Sequence, residues 1–211
     1  MYLSKLLLDP AKRQVRLELA NRYELHRTLL AQFEGQTRPE IKLLYRIEEA
    51  DQNIYQPITL LVQSQVAPSW QALFQRGLLV QPVEIKTFEI QPGLGSQYYF
   101  RLLANPTLRR ASGSWAGKRV EIRDAEEQKA WLARKGEGCG FKLLTVNTMD
   151  KGKISSQKTE NGQKHIMQHQ AVLFEGLLQV ANPEMFIQAV MQGIGSAKGF
   201  GFGLLSLAKR S

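Results

Sequence analysis

Cysteine is almost missing from this chain: Cys139 stands alone. That excludes an internal disulfide and fits a reducing compartment, the cytoplasm. Histidine is scarce as well, three in 211 residues, so a zinc site is not expected. No apolar run is long enough to span a bilayer, and the N-terminus lacks a signal-peptide pattern. Paired carboxylates, a Ser–His–Asp order and a two-metal acid cluster are absent too, so neither metal nor cofactor is expected. Acids are in short supply: 19 Asp and Glu face 28 Lys and Arg, for a net charge of +9 and an isoelectric point near 9.7. Such an excess points to a polyanion or an acidic membrane surface. A basic amphipathic helix with bulky apolar anchors is missing, which favours nucleic acid over membrane.

Glycine, by contrast, is concentrated. Five of the seventeen glycines lie in Gly193-Ile194-Gly195-Ser196-Ala197-Lys198-Gly199-Phe200-Gly201-Phe202-Gly203. That density implies positive φ or close approach of the backbone to another group. Amide N–H groups exposed beside Lys198 would suit a phosphate or an RNA backbone, through Gly195, Lys198, Gly199 and Gly201. The stretch lies after a helix pattern and before an apolar strand, the reverse of a nucleotide-triphosphate loop, and Lys198 is followed by Gly199 instead of Ser or Thr.

Taken in order, Met1–Leu8 reads as a strand. Asp9-Pro10 opens a basic helix to about Ala20, and Asn21 with Glu24 forms a capping box for a helix to Phe33. Leu25, Leu29 and Phe33 make its core stripe, with Tyr23, His26, Arg27 and Leu30 on the adjoining face. Strands follow at Ile41–Glu48 and Ile58–Val66, then a helix over Pro68–Arg76 and a strand at Val83–Ile90. Gln91-Pro92-Gly93-Leu94-Gly95 marks a boundary. Beyond it come a strand at Gln97–Ala104, a basic loop from Asn105 to Arg119 and a helix capped by Asp124. A strand at Phe141–Thr148 leads to a polar arm over Asp150–Gln168 that turns at Asn161-Gly162. Ala171–Val180, a helix opened by Asn182-Pro183, the glycine stretch and a last strand through Leu207 complete the chain. Each half reads β-α-β-β-α-β, so the expected fold is α+β with two tandem ferredoxin-like (RRM-like) domains, residues 1–91 and 96–211.

His26 suits proton transfer near neutrality, with Tyr23 one turn away to orient it. Taken alone, a histidine beside a tyrosine on a helix is more often structural. His165 and His169 read as RNA-facing or solvated. The basic positions Arg109, Arg110 and Lys118 in one loop, and Lys151, Lys153, Lys158 and Lys164 in the arm, form a track for an RNA backbone. A basic two-stranded arm could follow a groove of an RNA stem.

Several segments together resemble one family. They are Met1-Tyr2-Leu3-Ser4-Lys5, Tyr23-x-x-His26, Tyr99-Phe100-Arg101-Leu102-x-Ala104-Asn105-Pro106, Ala130-Trp131-Leu132, Phe174-Glu175-Gly176 and the glycine stretch running into Leu204-Leu205-Ser206-Leu207. Across the whole chain and in order, they resemble the CasE family, the CRISPR RNA-processing endoribonucleases of type I-E Cascade. The resemblance implies metal-independent cleavage of precursor CRISPR RNA at the 3′ base of the repeat hairpin. It also implies retention of the product among other Cascade subunits, and His26 and Tyr23 as catalytic residues. Where some relatives have a lysine one turn further on, this sequence has Ala31, and Arg27 is the expected substitute. The protein is expected to be monomeric in isolation and not membrane-bound. The contrasting expectation is a non-catalytic RNA-binding scaffold subunit.

Overall fold

The computed structural model describes residues 1–48, 56–109, 117, 119–160 and 163–210. The fold is mixed α/β with antiparallel sheets. It divides into two compact units: Met1–Glu89 with Ser155–Met167 and Lys198–Gly201, and Ile90–Ile154 with Gln168–Ala197 and Phe202–Ser211.

The first unit holds strands β1 (Tyr2–Leu8), β2 (Leu44–Ile47), β3 (Ile58–Ser64) and β4 (Ile85–Thr87), in the order β2-β3-β1-β4. Period-two alternation buries Ser4, Leu6 and Leu8 of β1. Helices α1 (Arg13–Ala20), α2 (Arg22–Leu30), α3 (Arg38–Ile41) and α4 (Gln71–Gln75) complete the unit. As the spacing requires, Leu25, Leu29 and Phe33 enter the core with Leu6, Leu60 and Trp70, each large side chain contributing about 1.5–3 kcal/mol by burial. The Trp70 indole N–H donates to the Ser4 hydroxyl at 2.9 Å, satisfying two buried polar groups at once.

Local competition explains where the elements depart from expectation. Asp9-Pro10 does not open a helix, because the Asp9 carboxylate takes the Ala11 N–H at 2.9 Å and closes an Asx-turn; α1 begins at Arg13. Asn21 makes no side-chain cap. Its amide instead donates to the Gln157 carbonyl at 2.9 Å and accepts the Gln157 N–H at 3.1 Å. Ile41 closes a helical turn set by a Thr37–Glu40 capping box and ended by left-handed Lys42, so β2 starts only at Leu44. The expected helix over Pro68–Arg76 shortens to α4, and the strand over Val83–Ile90 to the exposed β4.

The second unit is built on β5 (Gln97–Ala104), β8 (Phe141–Glu160), β9 (Gln163–Val180) and β10 (Leu205–Lys209), in the order β10-β5-β9-β8. The outer ends of β8 and β9 fall in the first unit. Between Asn105 and Arg119 the expected loop contains β6 (Thr107–Arg109), which pairs with β7 (Arg119–Glu121); Arg110 and Lys118 lie outside the described residues. Asp124 caps α5 (Ala125–Gly138) by accepting the Glu127 N–H at 2.9 Å. Asn182 caps α6 (Pro183–Gln192) through the Met185 N–H at 3.0 Å. No break separates Thr148 from the arm. β8 runs through it, absorbing Gly152 at φ +75° while Asp150 takes the Gly152 N–H at 2.7 Å. The Asn161-Gly162 turn lies outside the described residues. Among those residues, no helix is long and apolar enough to cross a membrane.

Candidate active site

Helix α2 sets the site. Its core stripe fixes the rotation of the helix, and the flanking face leaves Tyr23 and His26 half-buried and Arg27 exposed. Two groups lie against the His26 ring. It stacks on the fully buried Tyr45 of β2, with ring centroids 6.3 Å apart and planes at 27°. Gly199, in the short 3-10 turn Lys198–Phe200, lies against the Nδ1–Cε1–Nε2 edge. A Cβ at that glycine would sit 3.4 Å from Cε1 and 3.5 Å from each ring nitrogen. The Tyr45 hydroxyl in turn donates to the Gly199 carbonyl at 3.0 Å, with the Arg22 carbonyl at 3.3 Å. Gly201 completes the contact at φ +87°, where a Cβ would come 3.0 Å from the Tyr45 ring. The tip of the glycine stretch is therefore a clamp on an imidazole.

Burial first, and then the nearby Arg38 charge, lower the His26 pKa to about 4, so the ring is neutral at pH 7. Burial raises the Tyr45 phenol above its usual value and keeps it a hydrogen-bond donor. Arg38, at the start of α3, is exposed, and its charge also reaches Lys158. Lys158 is held by Glu160 at 2.8 Å. That hydrogen bond raises its pKa, and Tyr23 adds to the effect. A neutral imidazole, a phenol and two cations thus share one neighbourhood. Such a set can accept a proton and neutralise an oxyanion.

Other expected residues are placed differently. Arg27 pairs with Glu24 at 3.0 Å on an open surface, a contact of about 0–1 kcal/mol that a stronger anion can displace. Lys164 is exposed in the first unit. Lys151, Lys153, Arg109 and Gly195 belong to the second unit, where Lys153 lies 3.5 Å from Glu121. His169 is not solvated: it is half-buried, its Nδ1 3.2 Å from the Asn105 amide, and burial lowers its pKa. His165 is exposed. Sequence reasoning missed Tyr45, which reads as an ordinary core position of an apolar strand. It also missed Arg38, whose one signal is the Thr37-x-x-Glu40 box.

Comparison with known proteins shows what the whole chain is similar to. The chain is 38% identical to the CRISPR-associated endoribonuclease Cse3 of Thermus thermophilus, covering 99% of this chain and 100% of that protein. It is 30% identical to the CRISPR system Cascade subunit CasE of Escherichia coli, with 99% of each chain covered. A solved structure of CRISPR endoribonuclease Cse3 bound to 19-nucleotide RNA superposes with a TM-score of 0.86 at 36% identity, over 99% of this chain and 100% of that one. The family model described as CRISPR associated protein matches residues 1–209, and the chain belongs to that family.

Proposed function

We propose that this protein is an endoribonuclease that binds the repeat hairpin of precursor CRISPR RNA and cuts at the 3′ base of the stem without a metal. The observation that carries the reading is the clamped, neutral imidazole of His26 among Tyr23, Arg38 and Lys158, in a chain closely similar to an endoribonuclease. The substrate supplies the nucleophile. Its 2′-hydroxyl, tethered beside the phosphate, gains most from being positioned. His26 takes the 2′ proton as the 2′ oxygen bonds to phosphorus. The bond to the 5′ oxygen breaks, and that oxygen takes a proton from water as it leaves, the hydroxide formed then taking back the proton held by His26. The products are a 2′,3′-cyclic phosphate and a 5′-hydroxyl. Tyr23 orients the imidazole or the nucleophile, and Arg27, released from Glu24, neutralises phosphate oxygens with Arg38. Arg109, Arg110, Lys118, the arm lysines and Lys198 follow the RNA backbone.

The fold belongs to the same reading: residues 1–91 and 96–211 make two tandem ferredoxin-like domains. Support comes from the two strand orders, in each of which the first strand lies between the third and the last. After cutting, the protein stays on the RNA among other Cascade subunits, as the naming of its Escherichia coli relative supports. A single cysteine fits a cytoplasmic setting.

A 2′-deoxy nucleotide just upstream of the scissile phosphate tests the chemistry. The modified hairpin should bind and resist cutting, while EDTA leaves cleavage of the all-RNA hairpin unchanged. Cutting of the deoxy substrate would identify water as the attacker. Binding with no cutting of the all-RNA hairpin would leave a scaffold subunit.

A further inference from the structure

The second unit contains a cavity of about 330 Å³ that the catalytic arrangement does not use. Arg109 and Arg119 line it, and the β6–β7 register sets them directly opposite each other. Opposed residues of an antiparallel pair have Cβ atoms about 4.5–5.5 Å apart, and like charges there repel. Lys135 adds a third cation. It follows Trp131 by four residues on α5, so the buried indole that anchors the helix also aims Lys135 along the same face. Gly195, at φ +86°, closes over the Trp131 ring, where a Cβ would stand 3.3 Å from Cη2, and Ser196 and Thr107 supply hydroxyls. None of the three cations has an ion-pair partner among the described residues. Glu121, the acid on β7, is already shared by Arg123 and Lys153 at 3.8 and 3.5 Å.

Three cations lining one cavity with no ion-pair partner among the described residues, beside a glycine turn and two hydroxyls, are arranged for an anion. We propose that Arg109, Arg119, Lys135 and the Gly195–Ser196 turn form one pocket that takes a single backbone phosphodiester of the bound RNA. The proposal rests on the endoribonuclease reading and deepens it. It separates Gly195 from the rest of the glycine stretch: Gly195 works at this pocket, Gly199 lies against His26 and Gly201 against Tyr45. The cavity is roomy enough for a phosphodiester and its sugar. The Trp131 that lines it is buried, stacked on Phe174 with Gly195 against Cη2, which leaves little indole on which to stack a base, so the pocket reads charge and not base identity.

The test measures binding of a labelled repeat hairpin at several salt concentrations, in a His26→Ala background that cannot consume it. Arg119→Ala and Lys135→Ala together should lower the log–log salt slope by roughly 0.7–0.9, the signature of one lost phosphate contact, and weaken affinity about five-fold near physiological salt. Arg119→Lys should keep the slope. Arg134→Ala removes an exposed charge from the same helix but outside the cavity, and should change the slope less. An unchanged slope in the double variant, or an equal fall with Arg134→Ala, overturns the pocket. Inorganic phosphate is titrated without RNA as a second arm. Amide shifts at Gly195 and Ser196, with no effect of the double variant on RNA binding, would reassign the cavity to a free anion and also overturn the proposal. If the wild-type protein neither binds nor cuts the hairpin, the endoribonuclease reading itself falls. If it does both and the slope stays put, only the pocket falls.

Discussion

What surrounds His26 sets what its imidazole can do. Replacing it with Ala should slow cutting by roughly 10²–10⁴-fold, the usual contribution of one proton-transfer group, while hairpin affinity stays within a few-fold; near-normal cutting would make His26 structural. The lowered pKa gives a second readout. The neutral form exists above about pH 4, so kcat/KM should rise with pH through that value, well below an ordinary histidine. Arg38→Gln removes a positive neighbour and should move the limb upward; a limb near 6.5 in the parent would contradict the buried, clamped ring. The two tip glycines should separate stability from chemistry. Gly201→Val forces a β-branched residue to φ +87° with its Cβ 3.0 Å from Tyr45, and should destabilise by about 1–3 kcal/mol in a denaturant melt. Gly199 has no such backbone strain. Gly199→Val should melt near the parent yet cut poorly, because its branches displace the imidazole. Equal melting losses in both would reject this division.

At the scale of elements, the long β8–β9 arm carries the charge argument. Changing Lys151, Lys153, Lys158 and Lys164 together to Ala should flatten the salt dependence of RNA binding by roughly 0.7–0.9 in slope per lost phosphate contact. No change would show that the arm does not follow the backbone. Arm and helices also show what was legible beforehand. The caps at Asp124 and Asn182 were readable because donor and acceptor are three residues apart. The Asn21 cap failed because Gln157 offers the same amide two hydrogen bonds, a partner that no local pattern reveals. The core stripe of α2, and with it the placing of His26, followed from periodicity alone. Tyr45 did not, since its importance lies in a hydroxyl that meets Gly199 and a ring that meets His26. Asn105–Arg119 read as a loop for its charge, yet three residues on either side pair as strands.

At the scale of the whole molecule, the first unit is not a continuous piece of chain. It draws Ser155–Met167 and Lys198–Gly201 from the later half. A protease site placed at Leu94, 77% exposed in the Pro92–Gly95 connection, should therefore yield a nicked protein whose fragments elute together and still cut RNA. Fragments that separate at micromolar concentration would contradict the shared unit. The same discontinuity has a temporal side. During synthesis His26 leaves the ribosome early, and the glycine that flanks its ring emerges long afterwards. Until then a nascent chain carries the His26 imidazole without that glycine against it. The clamp on that ring can close only once Gly199 has been made, so its timing is set by the order of the residues.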